Sequence, residues 1–494
     1  MIEHVRPGGR NDLIEWHELH RTEPVSLSEL PPSEPPLSEL APGAQVVDRA
    51  ADAFYIGPAR RTVVTLDPIH VENIARLAYG IGGDVDATDH DDLAERVWRE
   101  WLPELRRDGR VVLAALGDHE RHRAAIDDVA LAERPFEAVH GLDSGTINPT
   151  TFKNGLVVDV AHAAMASSPT DLDLHRDRTI VATVHAGDST AGFDSEWTRR
   201  DEGHTKQRVL HVPRVNRYAE RVVHALALYL AEGTHALDHA DRVEDLLVLD
   251  GPIYPKELFT WGDRDPELGA LTREAKPRAV IEKYVRLVER FVERDVPLAG
   301  FVKNPASGTA VRALSRAGVE SPWPDDTALF TRLLERREPY GAAGDGEFTD
   351  DDRGAERGAR LDDDLTFTTW FRSRGGADAP MAADGDALGV DRELDPELYE
   401  PTFMVVYDPR TDVTYKLEAP YAFTRDAGTR ERLTRQVVAE VAATRGPPEP
   451  VAKADALARI SASEKAALRR KFEERLGSDQ QATYDDLRWG KETY

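Results

Sequence analysis

The sequence predicts an α/β protein: a mixed sheet flanked by helices, with an accessory N-terminal helical region. Three observations point there. The chain has 494 residues, 40% of them hydrophobic and 31% charged, so it can bury a sizeable core and is longer than one core usually organises. Its hydrophobic periodicity changes near Pro135, from three-to-four spacing to short β-rich runs. After a meander of such runs, strands alternate with helices, as a sheet with parallel crossovers requires.

Taken in order, residues 1–43 contain SLSELPPSEPPLSELAP, whose Pro, Ser and Glu content favours an extended N-terminal arm. Residues 44–134 carry HVENIARLAYGI and DDLAERVWREWLPELRR, two amphipathic helix patterns, and read as the accessory, mostly helical region. The main domain spans 135–480. It opens with strands in EAVHGLD, GLVVDVAHAAMA, RTIVATVHA and RVLHV, followed by a helix over 216–232 whose stripe is Tyr218, Val222, Leu226 and Tyr229. A buried strand DLLVLDGP follows, then a helix over 277–293, strand PLAGFVK, and helices near 309–316 and 324–337. Runs at 341–364 and 375–395, rich in Gly, Asp, Glu and Arg, read as acidic loops around strand FTTWFR. TFMVVYD and DVTYKLEAP form a hairpin, three helices follow over about 427–443, 449–458 and 462–477, and 481–494 is a C-terminal tail.

Composition bounds the chemistry. There is no Cys, so disulfides, thiol catalysis and thiolate zinc sites are excluded and any metal needs O or N ligands. The net charge is −27, and only 11 of the 63 basic residues are Lys. Short carboxylates keep a surface hydrated in concentrated salt where lysine adds little, which points to a halophilic, high-salt setting. The charge disfavours nucleic-acid binding at low salt without excluding it. No basic segment followed by an apolar core begins the chain, and no apolar run approaches the ~20 residues that span a bilayer, so a soluble, cytoplasmic protein without membrane contact is expected.

Strand, strand, strand, helix, strand is the order of ribonuclease H-like nucleases, whose chemistry needs acids at fixed stations. Asp143 ends the first strand, Glu220 lies early on the helix, and Asp250 ends the fourth strand. A helix crossing between parallel strands runs antiparallel to them, so its first turns approach the strands' carboxyl ends; this favours Glu220 over Glu232. Clustered carboxylates suit Mg²⁺ or Mn²⁺, which prefer oxygen ligands. The competing reading is that Asp before Gly is a turn residue and a helical Glu faces solvent.

The strings LDSGTINP, LLVLDGPIYP, PLAGFVKNP and EPVAKADALARIS, in that order over 137–460, resemble the signatures of the NurA family of archaeal and bacterial DNA repair nucleases. The resemblance implies a ribonuclease H-like fold, a manganese- (or magnesium-) dependent single-strand endonuclease and 5′ to 3′ exonuclease, a homodimer, and partnership with the hexameric DNA-translocating ATPase HerA in double-strand break end resection. It also implies metal binding at Asp143, Glu220 and Asp250. Where the family commonly shows Tyr-Pro and then His, this chain has Gly446-Pro447-Pro448 and Asp455. Aspartate can still ligate a hard cation. The missing Tyr motivates an alternative: a catalytically weak platform that binds DNA and a translocase.

Lys303, in GFVKNP, is a candidate phosphate contact, with a surface strand-end lysine as the plain alternative. His235 and His239 have i, i+4 ligand spacing without the HExxH glutamate, and His119 and His122 carry no stronger signal. The sequence has no GxxxxGK[ST] motif, so ATP-driven motion would need a partner.

Overall fold

The structure is a computed structural model that describes residues 68–82, 87–186, 195–212, 219–264, 266–338 and 359–482; the side chains of 78–82, 87–89, 219–223, 264 and 267 lie outside the description. The 1–43 arm, most of the 341–364 run and residues 483–494 of the tail also lie outside the described residues. The chain divides into two units at Asp84. The first contributes one described helix, α1 (Pro68–Gly82), on which Ile69, Val71, Ile74 and Leu77 are exposed.

In the second unit the strands are β1 (Glu104–Arg107), β2 (Arg110–Ala125), β3 (Val139–Thr151), β4 (Leu156–Ser168), β5 (Arg178–Ala186), β6 (Thr198–Arg200), β7 (Thr205–His211), β8 (Leu246–Asp250), β9 (Leu298–Val302), β10 (Asp364–Ser373), β11 (Pro401–Asp408) and β12 (Val413–Pro420). The helices are α2 (Ala87–Glu100), α3 (Ile126–Ala130), α4 (Ala219–Asp238), α5 (Lys256–Phe259), α6 (Trp261–Arg264), α7 (Pro266–Leu271), α8 (Ala275–Glu293), α9 (Thr309–Arg316), α10 (Asp326–Leu334), α11 (Tyr421–Thr424), α12 (Ala427–Thr444), α13 (Glu449–Ala458) and α14 (Ala462–Leu476).

All twelve strands join one sheet in the order β1-β2-β10-β11-β12-β9-β8-β3-β4-β5-β7-β6. At its centre β3, β4 and β5 form the antiparallel meander, and β8 then β9 run parallel to β3. The order β5-β4-β3-β8-β9, with α4 crossing between β7 and β8, is the ribonuclease H-like core, and the mixed sheet with covered faces agrees with the expected fold class. Alternation along the strands sends residues to two cores. Leu142, Leu247 and Leu249 pack with Leu226 and Leu230 of α4 and Tyr284 and Val288 of α8. Val139, Leu246 and Val248 pack on the other face with Leu433, Val437 and Val441 of α12 and Val451 of α13.

Two regions differ from expectation. Block 44–134 is not mostly helical in its second half: helix α2 ends at Glu100, and β1 and β2 form a hairpin that joins the sheet through β10. The cause is Asp108-Gly109, both at positive φ (52° and 79°), the Asp-Gly pair that two-residue hairpins use. The 375–395 run is a packed segment: Met381, Ala387 and Val390 enter the α4–α8 core, and Glu400 accepts hydrogen bonds from Arg372, Arg374 and the Ala383 N–H. Met381, Ala382, Ala387 and Val390 are buried, with Leu388 and Leu394 packed beside them, which composition alone does not reveal.

Candidate metal centre

Asp143 stands between two glycines on β3. A Cβ on Gly141 would overlap the backbone of Pro450, and one on Gly145 would overlap the carbonyl of Ala458. Both obstacles belong to α13, so the two glycines let this helix lie directly on the strand. Asp143 has the same parity and faces α13 as well, where Asp455 sits one turn before the helix end. Asp250 ends β8 beside it, since Leu142 pairs with Leu249 in the parallel register. Asp143, Asp250 and Asp455 therefore share one face, with ligand oxygens within 4.8 Å of one another. Among the described residues this is the only group of three or more His, Asp or Glu side chains spaced for a metal ion.

The electrostatics are those of crowded acids. Burial first, then the charges of Asp250 and Asp455, push the Asp143 carboxyl above the usual range, against the pull of the Ser144 N–H and Lys303. Burial likewise raises Asp250, although Lys303 Nζ donates to its Oδ2 at 2.6 Å. Partial burial opposes the charge on Lys303, yet the bond to Asp250 and the neighbouring carboxylates hold it above the ordinary lysine value. Three carboxylates facing the Lys303 ammonium and the Arg459 guanidinium, which pairs with Asp455 at 2.9 Å, leave an excess of negative charge that a hard divalent cation would neutralise, and the all-oxygen donor set fits such an ion.

A fourth acid stands on the other face. Glu232 of α4 accepts from Ser144 Oγ at 2.6 Å and from the Tyr284 hydroxyl at 3.2 Å. Burial, joined by the charges of Asp143 and Asp250, pushes its carboxyl up to about 8. The helix thus presents Glu232, not Glu220, to the acids. Glu220 opens the same helix twelve residues earlier, about 18 Å away along the axis, and its side chain lies outside the described residues. The expectation that the helix start would approach the acids fails because β3 does not stop at them. Asp143 is in mid-strand, β3 continues to Thr151, and the first turns of α4 lie beside that extension, with His224 Nδ1 3.6 Å from Asp159 of β4. One sequence signal marks Glu232: it is the only acid between Arg221 and Asp238, in a mostly apolar stretch.

The other candidates resolve plainly. Lys303 touches the cluster through Asp250. Buried His235 and His239 have their ring centres 4.4 Å apart, tilted by 55°, and face Thr179 and Asp177. His119 stacks on Trp98 and His122 on Phe367.

No curated protein matches the chain in sequence. Among solved structures, the chain is similar to the NurA nuclease from Sulfolobus solfataricus, at 12% identity over 83% of this chain and 98% of that one, with a TM-score of 0.41. It is similar to NurA bound to dAMP and manganese, at 10% identity over 85% and 99% of the two chains, with a TM-score of 0.34. The family model of the NurA domain matches residues 137–460, the greater part of the chain, and this protein belongs to that family.

Proposed function

We propose that this chain is a divalent-metal-dependent deoxyribonuclease that hydrolyses phosphodiester bonds at DNA ends. The observation that carries the proposal is the convergence of Asp143, Asp250 and Asp455, from β3, β8 and α13, on one face within 4.8 Å; membership of the NurA family supports it. Asp143, Asp250 and Asp455 would hold manganese or magnesium, while Glu232, on the opposite face, would act on them through its charge. Such an ion supplies positive charge for the phosphate and a water acidified for attack. The chain's own part is orientation. Ser144 and Tyr284 fix the Glu232 carboxyl, the Ser144 N–H fixes Asp143, and Lys303 places an ammonium at the rim of the cluster, where a substrate phosphate would meet it.

In the finer reading, the enzyme cuts single strands internally, degrades them 5′ to 3′, and works in the cytoplasm as a homodimer with a HerA-type ATPase during end resection. Among the described residues no helix is long and apolar enough to cross a membrane. The test is incubation of the purified chain with single- and double-stranded DNA in Mn²⁺, Mg²⁺ or chelator at several salt concentrations. Cleavage only with a divalent ion is expected. Binding without cleavage under every condition would instead support the inactive platform suggested by Gly446-Pro447-Pro448.

A further inference from the structure

The β6–β7 edge of the sheet collects cations that the metal centre does not use. In a chain of net charge −27 with 11 lysines, Lys206 of β7 and Lys283 of α8 meet Arg199, Arg200 and Arg208 there. Lys206 Nζ lies 5.0 Å, and Arg208 Cζ 5.9 Å, from the centre of the half-buried Trp197 ring. Beside them is a cavity of about 120 Å³ lined by Arg178, Arg199, Arg200, Thr205, Lys206 and His239. Three carboxylates share this space: Asp238 pairs with Lys206 at 2.5 Å, Asp177 faces His204 at 3.2 Å and His239 at 3.7 Å, and Asp201 lies on the wall. Among the described residues Arg199, Arg200, Arg208 and Lys283 form no ion pair; Arg208 donates only to the Ser195 carbonyl. Burial, and then repulsion from Lys206 and, against the pull of Asp238, from Arg208, holds the Lys283 ammonium below the ordinary range, a crowding that a bound anion would relieve.

We propose that this edge binds the backbone of a single-stranded nucleic acid, with a phosphate in the small cavity and an unpaired base against Trp197. The cavity is well below the ~300–1,000 Å³ of small-molecule pockets, so it suits one anionic group and not a nucleoside. An aromatic ring flanked by cations combines the stacking platform and the electrostatic track used in single-strand binding. The register row Ser144–Ala163–Thr179–Lys206 crosses the sheet, placing the edge three strand spacings, roughly 14 Å, from β3. The inference deepens the nuclease reading and rests on it.

The test is fluorescence anisotropy of a labelled single-stranded oligonucleotide in chelator, titrated across salt. The variants are Arg199→Gln with Arg200→Gln, and separately Lys283→Gln. Affinity of the double variant should fall by about tenfold or more, with a salt slope smaller by about one for each phosphate that is no longer neutralised. Its melting temperature should not change, because both arginines are exposed and form no ion pair among the described residues. Cleavage of a minimal phosphodiester, bis-p-nitrophenyl phosphate, should match the parent's. Parent-like affinity and slope in both variants would overturn the inference, as would an equal loss in the control Arg470→Gln with Lys471→Gln on α14. A parent that binds no oligonucleotide at any salt would overturn it too. If the parent cuts DNA while the variants bind like the parent, this inference alone falls. If the parent binds the strand and the variants lose it, but nothing is cut with Mn²⁺ or Mg²⁺, the edge stands and the nuclease reading falls.

Discussion

At the residue scale, the site is a set of carboxyls held in each other's field. Asp250→Asn keeps side-chain size and removes one ligand charge, so metal-dependent cleavage should fall on the order of 10²-fold or more. In chelator the same variant should melt slightly higher, since the crowding that raises Asp143 and Asp250 is relieved. Turnover at the parent rate would remove Asp250 from the mechanism. Glu232 gives a pH signature. Its carboxyl sits at about 8 in the folded chain against an ordinary 4.5, so between those values the folded state holds a proton that the unfolded state has lost. Its stabilising contribution is complete below 4.5 and disappears as pH rises through 8. The metal-free protein should therefore melt lower as pH rises from 5 to 9, and Glu232→Gln should flatten that slope. Glu232→Gln should also lose metal-dependent cleavage while Glu220→Gln keeps it; the reverse result would mean that the start of α4 reaches the acids. Asp143 and Asp250 were legible because this strand order calls for acids on its first and fourth strands, although β3 runs on past Asp143 to Thr151. Glu232 was not, because its place depends on how far β3 runs beyond Asp143, which is set by pairing with β4 and not by local pattern.

At the scale of elements, the decisive feature is α13 lying on β3. Gly145→Ala would drive a methyl into the Ala458 carbonyl, with no flexible side chain there to yield, so the helix must lift. A stability loss of about 1–3 kcal/mol is expected, read as a lower denaturant midpoint. Because Asp455 rides on that helix, the thermal stabilisation produced by Mn²⁺ should shrink as well. Unchanged stability and unchanged metal response would show that α13 does not bring Asp455 to the site. The helix itself was readable from EPVAKADALARIS, but its seat on the sheet was not, since nothing in a strand pattern distinguishes a glycine needed for close approach from one in a loop. The β1–β2 hairpin does carry a turn signal, Asp108-Gly109, but the helical periodicity that precedes it masks the change of structure. The 375–395 segment is illegible for a different reason, because apolar residues without helix or strand spacing, set among Gly and Asp, look like a loop until the core that receives them is known.

At the scale of the molecule, the twelve-stranded sheet joins two regions with different tasks. The meander and its parallel strands carry the acids, while β1, β2, β10, β11 and β12 extend the sheet beyond β9. The central order was legible because crossover helices dictate it; the extension was not, because antiparallel additions at an edge obey no such rule. A net charge of −27 repels duplex DNA, so the chain alone should capture long duplexes poorly, and sustained degradation would need a motor that feeds DNA to the site. The sequence carries no P-loop to supply one. With a HerA-type ATPase as that motor, we expect a homodimer whose interface buries at least ~1,000 Å², and resection of duplex ends only when both the ATPase and ATP are present. Light scattering at working salt should give twice the 54.9 kDa chain mass, and a gel assay should show duplex shortening that stops when ATP is withheld. A monomer whose duplex cleavage is the same with and without the ATPase would instead assign the metal centre to unaided single-strand cutting, with the acidic surface acting as a filter against duplex DNA.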